Sequence, residues 1–516
     1  IDAMEGRDVA IFDVPGAYLH ASMPKDKNLL MKLRGQFVDI MCDVNDEYKQ
    51  FVVEEKGEKV LYLRVLQAIY GCIESALLWY ELFSSTLTTM GFEINSYDKC
   101  IANKMIEGKQ CTISWYVDDN KLSHVNEHVV TKILKDMAVH FGDLVITRGD
   151  DHDLLGMHIK LNRKTKRVEI NMKDQLLECI DMFGEEVDDN VATIATKNLM
   201  VVNDKCEKLD EDKSDLFHSI VAKLLFIEKR ARPDMETTIS FLMKRVSCSD
   251  TDDWKKLRRC LGFIKRTIDD KRIIGADSLE EMYVWVDAAH AVHSNMRGHT
   301  GGVISMGTGI LHGKSSGQKL NTRSSTESEL VGVSEYLPYN LWFLMFFEEQ
   351  GYPIKSNILF QDNESAIKME TNGRNSCTGN SRHIETKYFW VKDRVDKGQV
   401  RIQYCPTRLM LADYFTKALQ GKLFAFLREI IMGYRHIDEI LLDPSFPLKE
   451  RVENISKNVT GNNGTKHITR DEELAKREGE KRTYADVVMS NVDTCKTYTG
   501  IATEFLPNLQ QKVSTV

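Results

Sequence analysis

Carboxylates at the ends of apolar runs carry most of the chemical potential of this sequence. Asp13 follows Val9-Ala10-Ile11-Phe12, and Asp118-Asp119 follow Tyr116-Val117. Like charges gathered at strand ends repel one another unless divalent cations neutralise them. Two Mg²⁺ ions about 4 Å apart can then activate a 3′-hydroxyl and stabilise a leaving pyrophosphate. Adjacent aspartates are equally good turn formers, and spacing alone does not bring Asp13 to Asp118.

A second set comprises Asp287, Glu327, Asp362 and Asp413. Asp287 interrupts the apolar strand Tyr283-Val284-Trp285-Val286, where a charge is costly unless paired or metal-bound. Glu327 follows Ser324-Ser325-Thr326 at a helix start, where it could simply form a capping box with Ser324. Thr326 and Glu329 have the same spacing, which would free Glu327 on a face shared with Leu330 and Val331. Asp362 ends Ile358-Leu359-Phe360 and could be only a helix N-cap. Asp413 is flanked by Leu411, Ala412, Tyr414 and Phe415. Four acids, each at an element's edge, point to a second metal site.

The elements that must position these acids follow from periodicity. Cys111, Ile113, Trp115 and Val117 alternate with Thr112, Ser114 and Tyr116, which predicts a strand. The pattern breaks at Asp118-Asp119-Asn120 and resumes over 122–125, so the acids sit at a hairpin tip. Helices are expected over 214–229, 234–246 and 252–268. Three short strands (283–289, 300–306, 309–315) then precede a long helix over 325–349. Strand 356–361, helices 363–371 and 385–396, strand 399–405 and a helix from about 410 complete a mixed α/β unit of about 150 residues, enough for an independent core. Residues 254–272 hold Lys255, Lys256, Arg258, Arg259, Lys265, Arg266, Lys271 and Arg272 against Asp269 and Asp270. That run is either a solvated helix face or a surface that tracks phosphates. Beyond about 445 the chain turns polar and aperiodic, which reads as disorder.

Composition bounds these readings. With 516 residues, 42% apolar and 28% charged, the chain has room for about three globular domains. Lys+Arg minus Asp+Glu is 69 − 77 = −8, so nucleic acid would have to bind a local basic face. Eleven cysteines without a C-x-x-C pair or a signal region read as reduced intracellular thiols. The longest apolar run, Leu341 to Phe347, is far short of the roughly 20 residues that span a bilayer. The chain does not begin with methionine, which reads as a piece of something longer.

Several motifs together resemble one family. Asp13-Val14-Pro15-Gly16-Ala17-Tyr18-Leu19-His20, Ala68-Ile69-Tyr70-Gly71 with Trp79-Tyr80, and Tyr116-Val117-Asp118-Asp119 resemble the reverse transcriptase of copia-type LTR retrotransposons. Asp287-Ala288, Lys314-Ser315-Ser316-Gly317-Gln318-Lys319, Ser324-Ser325-Thr326-Glu327, Gln361-Asp362-Asn363-Glu364-Ser365-Ala366-Ile367, Arg382-His383-Ile384, Pro406-Thr407 and Ala412-Asp413-Tyr414-Phe415-Thr416-Lys417 resemble its ribonuclease H domain. The resemblance covers about residues 8 to 433.

It implies a mixed α/β (α+β) chain: a truncated right-hand polymerase palm and thumb (1–185), a helical connection (186–279), a ribonuclease H-like domain (280–433) and a polar tail (434–516). Asp13 and Asp118, with Asp119 alongside, would hold two Mg²⁺ or Mn²⁺ ions. Asp287, Glu327, Asp362 and Asp413 would hold two more and cut the RNA of an RNA–DNA hybrid. Tyr18 would exclude a ribose 2′-hydroxyl and so select deoxynucleoside triphosphates, though a packed tyrosine suits the position as well. Leu154-Leu155-Gly156 resembles a primer-gripping segment. RNA template, DNA primer and other polyprotein products would be partners, in a cytoplasmic virus-like particle.

Departures from the family temper this reading. Twelve residues precede Asp13, where a basic fingers region is expected, so weak polymerisation is predicted. Cys72-Ile73-Glu74-Ser75-Ala76-Leu77 replaces a segment that usually carries two basic groups. No protease or integrase region is recognisable. A non-catalytic nucleic-acid-binding relic of a degenerate element is the alternative.

Overall fold

The computed structural model describes residues 1–377 and 384–446. His383 and most of the expected tail lie outside them. The described residues form four sheets with helices packed on them.

The first sheet has six antiparallel strands in the order Glu93–Ile94, Ile101–Ile106, Lys109–Tyr116, Asp119–His124, Asp8–Asp13 and Val145–Arg148. Alternation works as expected: Cys111, Ile113 and Trp115 are buried on one face of their strand. Helices Ser75–Thr89 and Glu127–Phe141 cover that face. Trp79, Phe83, Ile133 and Phe141 close a core with Phe12, Ile113 and Leu122. A smaller sheet, Leu30–Arg34, Glu58–Arg64 and Val52–Glu55, was not anticipated from the sequence and has its own small core of Val38, Cys42 and Leu61.

A five-stranded sheet in the C-terminal half runs His312–Gly317, His299–Ser305, Glu281–Ala289, Ser356–Gln361 and Arg401–Tyr404. Its first pairings are antiparallel, while Glu281–Ala289 and Ser356–Gln361 pair in parallel. The long helix Ser325–Glu349 lies on it and begins at Ser324, whose hydroxyl accepts Glu327 N–H at 3.2 Å. The helix expected from 410 is broken into Asp413–Thr416 and Gly421–Met432.

Two expected boundaries are not separations in space. Strand Arg272–Ala276, inside the stretch read as all-helical, pairs with Arg167–Asn171 on one side and Gly307–Thr308 on the other. Helices Glu211–Arg230, Glu236–Met243 and Thr251–Arg266 bury Phe217, Leu224, Leu242, Leu257 and Leu261 in one core with Trp285, Phe360, Tyr414 and Phe415. Polar contacts reinforce it: Thr237 Oγ1 donates to Tyr414 O at 2.7 Å and Ser240 Oγ to Ser315 O at 2.6 Å. Packing also runs past 433, since Ile437, Ile440, Leu441 and Phe446 are buried in that core. An independent core over 280–433 is therefore corrected, because its inner apolar face is completed by the preceding helices and the following turn.

The first sheet meets the segment that follows the long helix through Arg7, which is 1% exposed. Its guanidinium meets Glu5 at 2.7 Å and donates to Tyr352 Oη at 2.8 Å. Nearby, Gln110 Nε2 donates to Gln350 O at 2.7 Å.

Candidate active sites

Asp13 is the last residue of its strand, and the antiparallel register sets it opposite Asp119. Tyr116 pairs with Asp119, so Val117-Asp118 form a two-residue turn. Val117 has φ 60°, a left-handed conformation that a β-branched residue resists. The surroundings hold it there. Trp79 Nε1 donates to Val117 O at 2.6 Å, and Asn120 Nδ2 binds both Asp118 O and, at 3.2 Å, Phe12 O. Strain of this kind tends to mark functional sites. Here it places Asp118 within electrostatic reach of Asp13.

The three acids act on one another electrostatically. Burial and the neighbouring Asp118 raise the pKa of Asp13. Burial, Asp118 and Asp13 raise that of Asp119, against a hydrogen bond from Leu155 N–H. The structure thus brings Asp13 to Asp118-Asp119, which spacing left open, and seats the Leu154-Leu155-Gly156 turn beside them. Tyr18 packs against Tyr70 with ring centroids 4.5 Å apart and ring planes tilted by 38°, and Tyr70 Oη donates to Asp118 Oδ2 at 3.4 Å. Tyr18 is half-buried at the rim of the acids; Tyr70 is its unanticipated partner.

The second cluster differs in one member from the expectation. Carboxylate oxygens of Asp287, Glu329 and Asp362 all lie within 4.8 Å of one another. Asp287 and Asp362 meet because their strands are parallel neighbours: Trp285 pairs with Phe360, and both acids lie two residues further on. Glu329 reaches them from the long helix and accepts Gln361 Nε2 at 3.2 Å. Glu327 turns the other way. Its Oε2 accepts Arg323 N–H at 2.8 Å, which makes it a helix-start residue. The expected Glu327 is therefore corrected to Glu329. Two acids two positions apart on a helix point about 200° apart, so only one could join the cluster.

Asp413 stands beside this trio at the start of its short helix. Gly301 lets it approach: paired with Asp287, it lies so close to that helix that a Cβ would come within 2.8 Å of Ala412 O and Thr416 Cγ2. Thr416 Oγ1 donates to Asp287 Oδ2. Lys417 Nζ lies 2.6 Å from Asp413 Oδ1 and 3.5 Å from Asp287 Oδ2. Burial and Asp287 push Asp413 up to about 7 despite Lys417. Burial, Asp287 and Asp362 raise Glu329 well above the ordinary carboxyl range, and burial with Asp287 raises Asp362. Glu370, fully buried nearby with both oxygens lacking a hydrogen-bond partner, is pushed up to about 8 by burial. Converging buried oxygens with so little compensating charge are the donor set that a hard divalent cation requires.

The basic run has partners within the chain. Residues 185–201 lie along the helix Thr251–Arg266 and engage most of its cations. Arg258 binds Glu185, Arg259 Nη2 donates to Thr193 Oγ1 at 3.1 Å, and Arg266 Nη1 to Val191 O at 3.0 Å. Lys256 Nζ donates to Val201 O at 2.7 Å, and Lys265 lies 3.9 Å from Asp189. Lys255 is exposed. The stretch straps a loop to a helix, a role that charge counting alone cannot supply.

The chain is 22% identical over 386 residues to the retrovirus-related Pol polyprotein from transposon TNT 1-94 of Nicotiana tabacum, covering 73% of this chain. It is 24% identical over 428 residues to the transposon Ty1-BR Gag-Pol polyprotein of Saccharomyces cerevisiae, covering 78%. Its homologues are Ty1/copia-type Gag-Pol polyproteins. The matched part is 28% and 24% of those two relatives, so the chain spans about a quarter of the copia-type proteins it matches. No family model matches it. Among solved structures, the prototype foamy virus protease-reverse transcriptase aligns with 80% of this chain and 45% of that one, at 11% identity and a TM-score of 0.21. Among the described residues no helix is long and apolar enough to cross a membrane.

Proposed function

We propose that this chain is the reverse transcriptase and ribonuclease H part of a copia-type polyprotein, copying RNA into DNA and removing the RNA from the hybrid. The observation that carries the proposal is the convergence of Asp287, Glu329 and Asp362 oxygens within 4.8 Å, with Asp413 beside them. Asp13, Asp118 and Asp119 make a second, shallower set on the first sheet.

In the ribonuclease H reading, Asp287, Glu329, Asp362 and Asp413 would hold Mg²⁺ or Mn²⁺, which when bound would polarise the scissile phosphate and lower the pKa of an attacking water. Gln361 fixes Glu329 through its Nε2 while its Oε1 accepts the N–H groups of Asp362 and Asn363 at 2.8 and 3.0 Å. That one amide locks two of the acids in place. In the polymerase reading, Asp13 and Asp118 would hold the metals, and the Tyr18–Tyr70 pair would wall the space where a 2′-hydroxyl would project. Its substrates would be deoxynucleoside triphosphates on an RNA template with a DNA primer.

The test is cleavage of an RNA–DNA hybrid by the whole chain with Mg²⁺ or Mn²⁺, beside Asp362→Asn. Asn keeps the size of the side chain and removes the charge that the metals need, so cleavage should collapse while folding persists. Equal cutting by both would assign the activity elsewhere. A parent that folds and binds hybrid but never cuts it would be the non-catalytic relic.

A further inference from the structure

The ribonuclease H cluster carries a positive charge of its own. Lys417 follows Asp413 by one helical turn, and its ammonium lies 2.6 Å from Asp413 Oδ1 and 3.5 Å from Asp287 Oδ2. Asp413 is not among the three acids whose oxygens converge, whereas Asp287 is. Asp287 thus faces two positions: one shared with Glu329 and Asp362, and one shared with Asp413 in which the ammonium sits.

We propose that Lys417 is a tethered counter-ion filling the second cation position, so that the first divalent ion loads at Asp287, Glu329 and Asp362 and the second must displace the Lys417 ammonium. This rests on the ribonuclease H reading above and adds an order of loading to it.

Three observations support a displaceable role over a fixed one. Asp287 and Asp413 are 3% and 6% exposed, so without a cation their pairing would leave buried charge uncompensated. Lys417 keeps 41% of its side chain exposed, so its ammonium can leave for solvent or a substrate phosphate without opening the core. Thr416, the preceding residue, keeps its own hydrogen bond to Asp287 Oδ2, so the acid stays oriented when the lysine departs. A group joined to the site by four methylenes competes at high effective concentration with any free ion. The hybrid's phosphate offers the ammonium a new partner, which couples second-ion loading to substrate.

The test is Mn²⁺ titration of the whole chain, with free Mn²⁺ read by electron paramagnetic resonance and no nucleic acid present. Asp13→Asn and Asp118→Asn are included throughout to silence the first-sheet site. Lys417→Met should tighten the second Mn²⁺ by about tenfold, a usual size for coupled sites, and leave the first little changed. Lys417→Arg should behave like the parent. Lys417→Met should also melt lower without metal and recover with Mn²⁺, a rescue that a merely structural lysine would not give. Lys417→Gln replaces it if the Met variant does not fold. Identical stoichiometry and affinities with Lys417 or its neutral replacement would overturn the proposal and leave the ribonuclease H reading standing. No Mn²⁺ bound in any variant would overturn both.

Discussion

At the tip of the first sheet, Asp13, Asp118 and Asp119 are partly exposed, and they meet because two neighbouring strands deliver them to one edge. In the C-terminal half, Asp287, Glu329 and Asp413 are buried, and four separate elements must converge to gather that cluster. The first site is a local product of one hairpin, one strand and a strained turn. The second is a product of the whole core, down to a glycine that admits Asp413 and a lysine that neutralises it. A site built locally can survive damage elsewhere in the chain, whereas a site built from everything around it cannot.

The largest effect should come from dividing the chain. Residues 280–433 expressed alone should lack a cooperative melt and bind a hydrophobic dye, because their inner face loses Phe217, Leu224, Leu257 and Ile437. Extending that piece to 165–446 should restore a sharp transition in circular dichroism. A sharp melt for 280–433 alone would show that the shared core is dispensable.

Next in size is the choice between two glutamates. Glu329→Gln should lower hybrid cleavage by about a hundredfold or more, since a lost metal ligand removes several kcal/mol of transition-state stabilisation. Glu327→Gln should change it only a few-fold, because Gln can still accept from Arg323 N–H. Similar losses in single-turnover assays would mean that both acids serve the centre.

At the exposed site effects should be smaller. Tyr18→Val, in a polymerase-active form of the protein, should reduce discrimination against ribonucleotides by roughly tenfold to a hundredfold, the range set by one reshaped pocket contact. Unchanged incorporation ratios would return Tyr18 to a packing role against Tyr70.

The smallest effect is a pH dependence that should separate the clusters. Asp413 sits near 7 in the folded, metal-free protein against an ordinary 3.8. The folded state then holds a proton that the unfolded chain has released, so stability present at low pH is lost as pH rises from about 4 through about 7. Glu329 and Asp362 shift in the same direction. The metal-free melting temperature should therefore fall by a few degrees across that window, and Mg²⁺ at pH 8 should restore it. Asp413→Asn should flatten the profile more than Asp13→Asn does; equal flattening would mean that the buried cluster is not the source.

What the sequence disclosed follows this same division. Alternation over 111–117 located the hairpin and its acids because a single strand's periodicity determines which face its residues occupy. The long helix and the strands around Asp287 and Asp362 were legible for the same reason. The choice of Glu329 over Glu327 was not, since Ser324 and Thr326 offer equivalent capping spacings and only the packed helix reveals which way each acid turns. The strand Arg272–Ala276 was hidden by the charges before it, and the basic run misled because its partners, Glu185, Thr193 and Val191, are about 65 to 75 residues away. The Leu154-Leu155-Gly156 turn was recognisable as a motif, but its contact with Asp119 became visible only once the sheet was assembled.

That middle strand, Arg272–Ala276, bears on any protein made by cutting one long chain, where what matters after the cut is which pieces remain together. It is hydrogen-bonded to Arg167–Asn171 before it and to Gly307–Thr308 after it. A protease that nicked the exposed residues 203–205 would break the covalent link while leaving this ladder and the core beneath it closed. The two products should elute as one particle under native conditions and separate only in denaturant. In this molecule, cleavage between the halves that carry the two acid clusters would change their mass on a gel without changing their distance from each other.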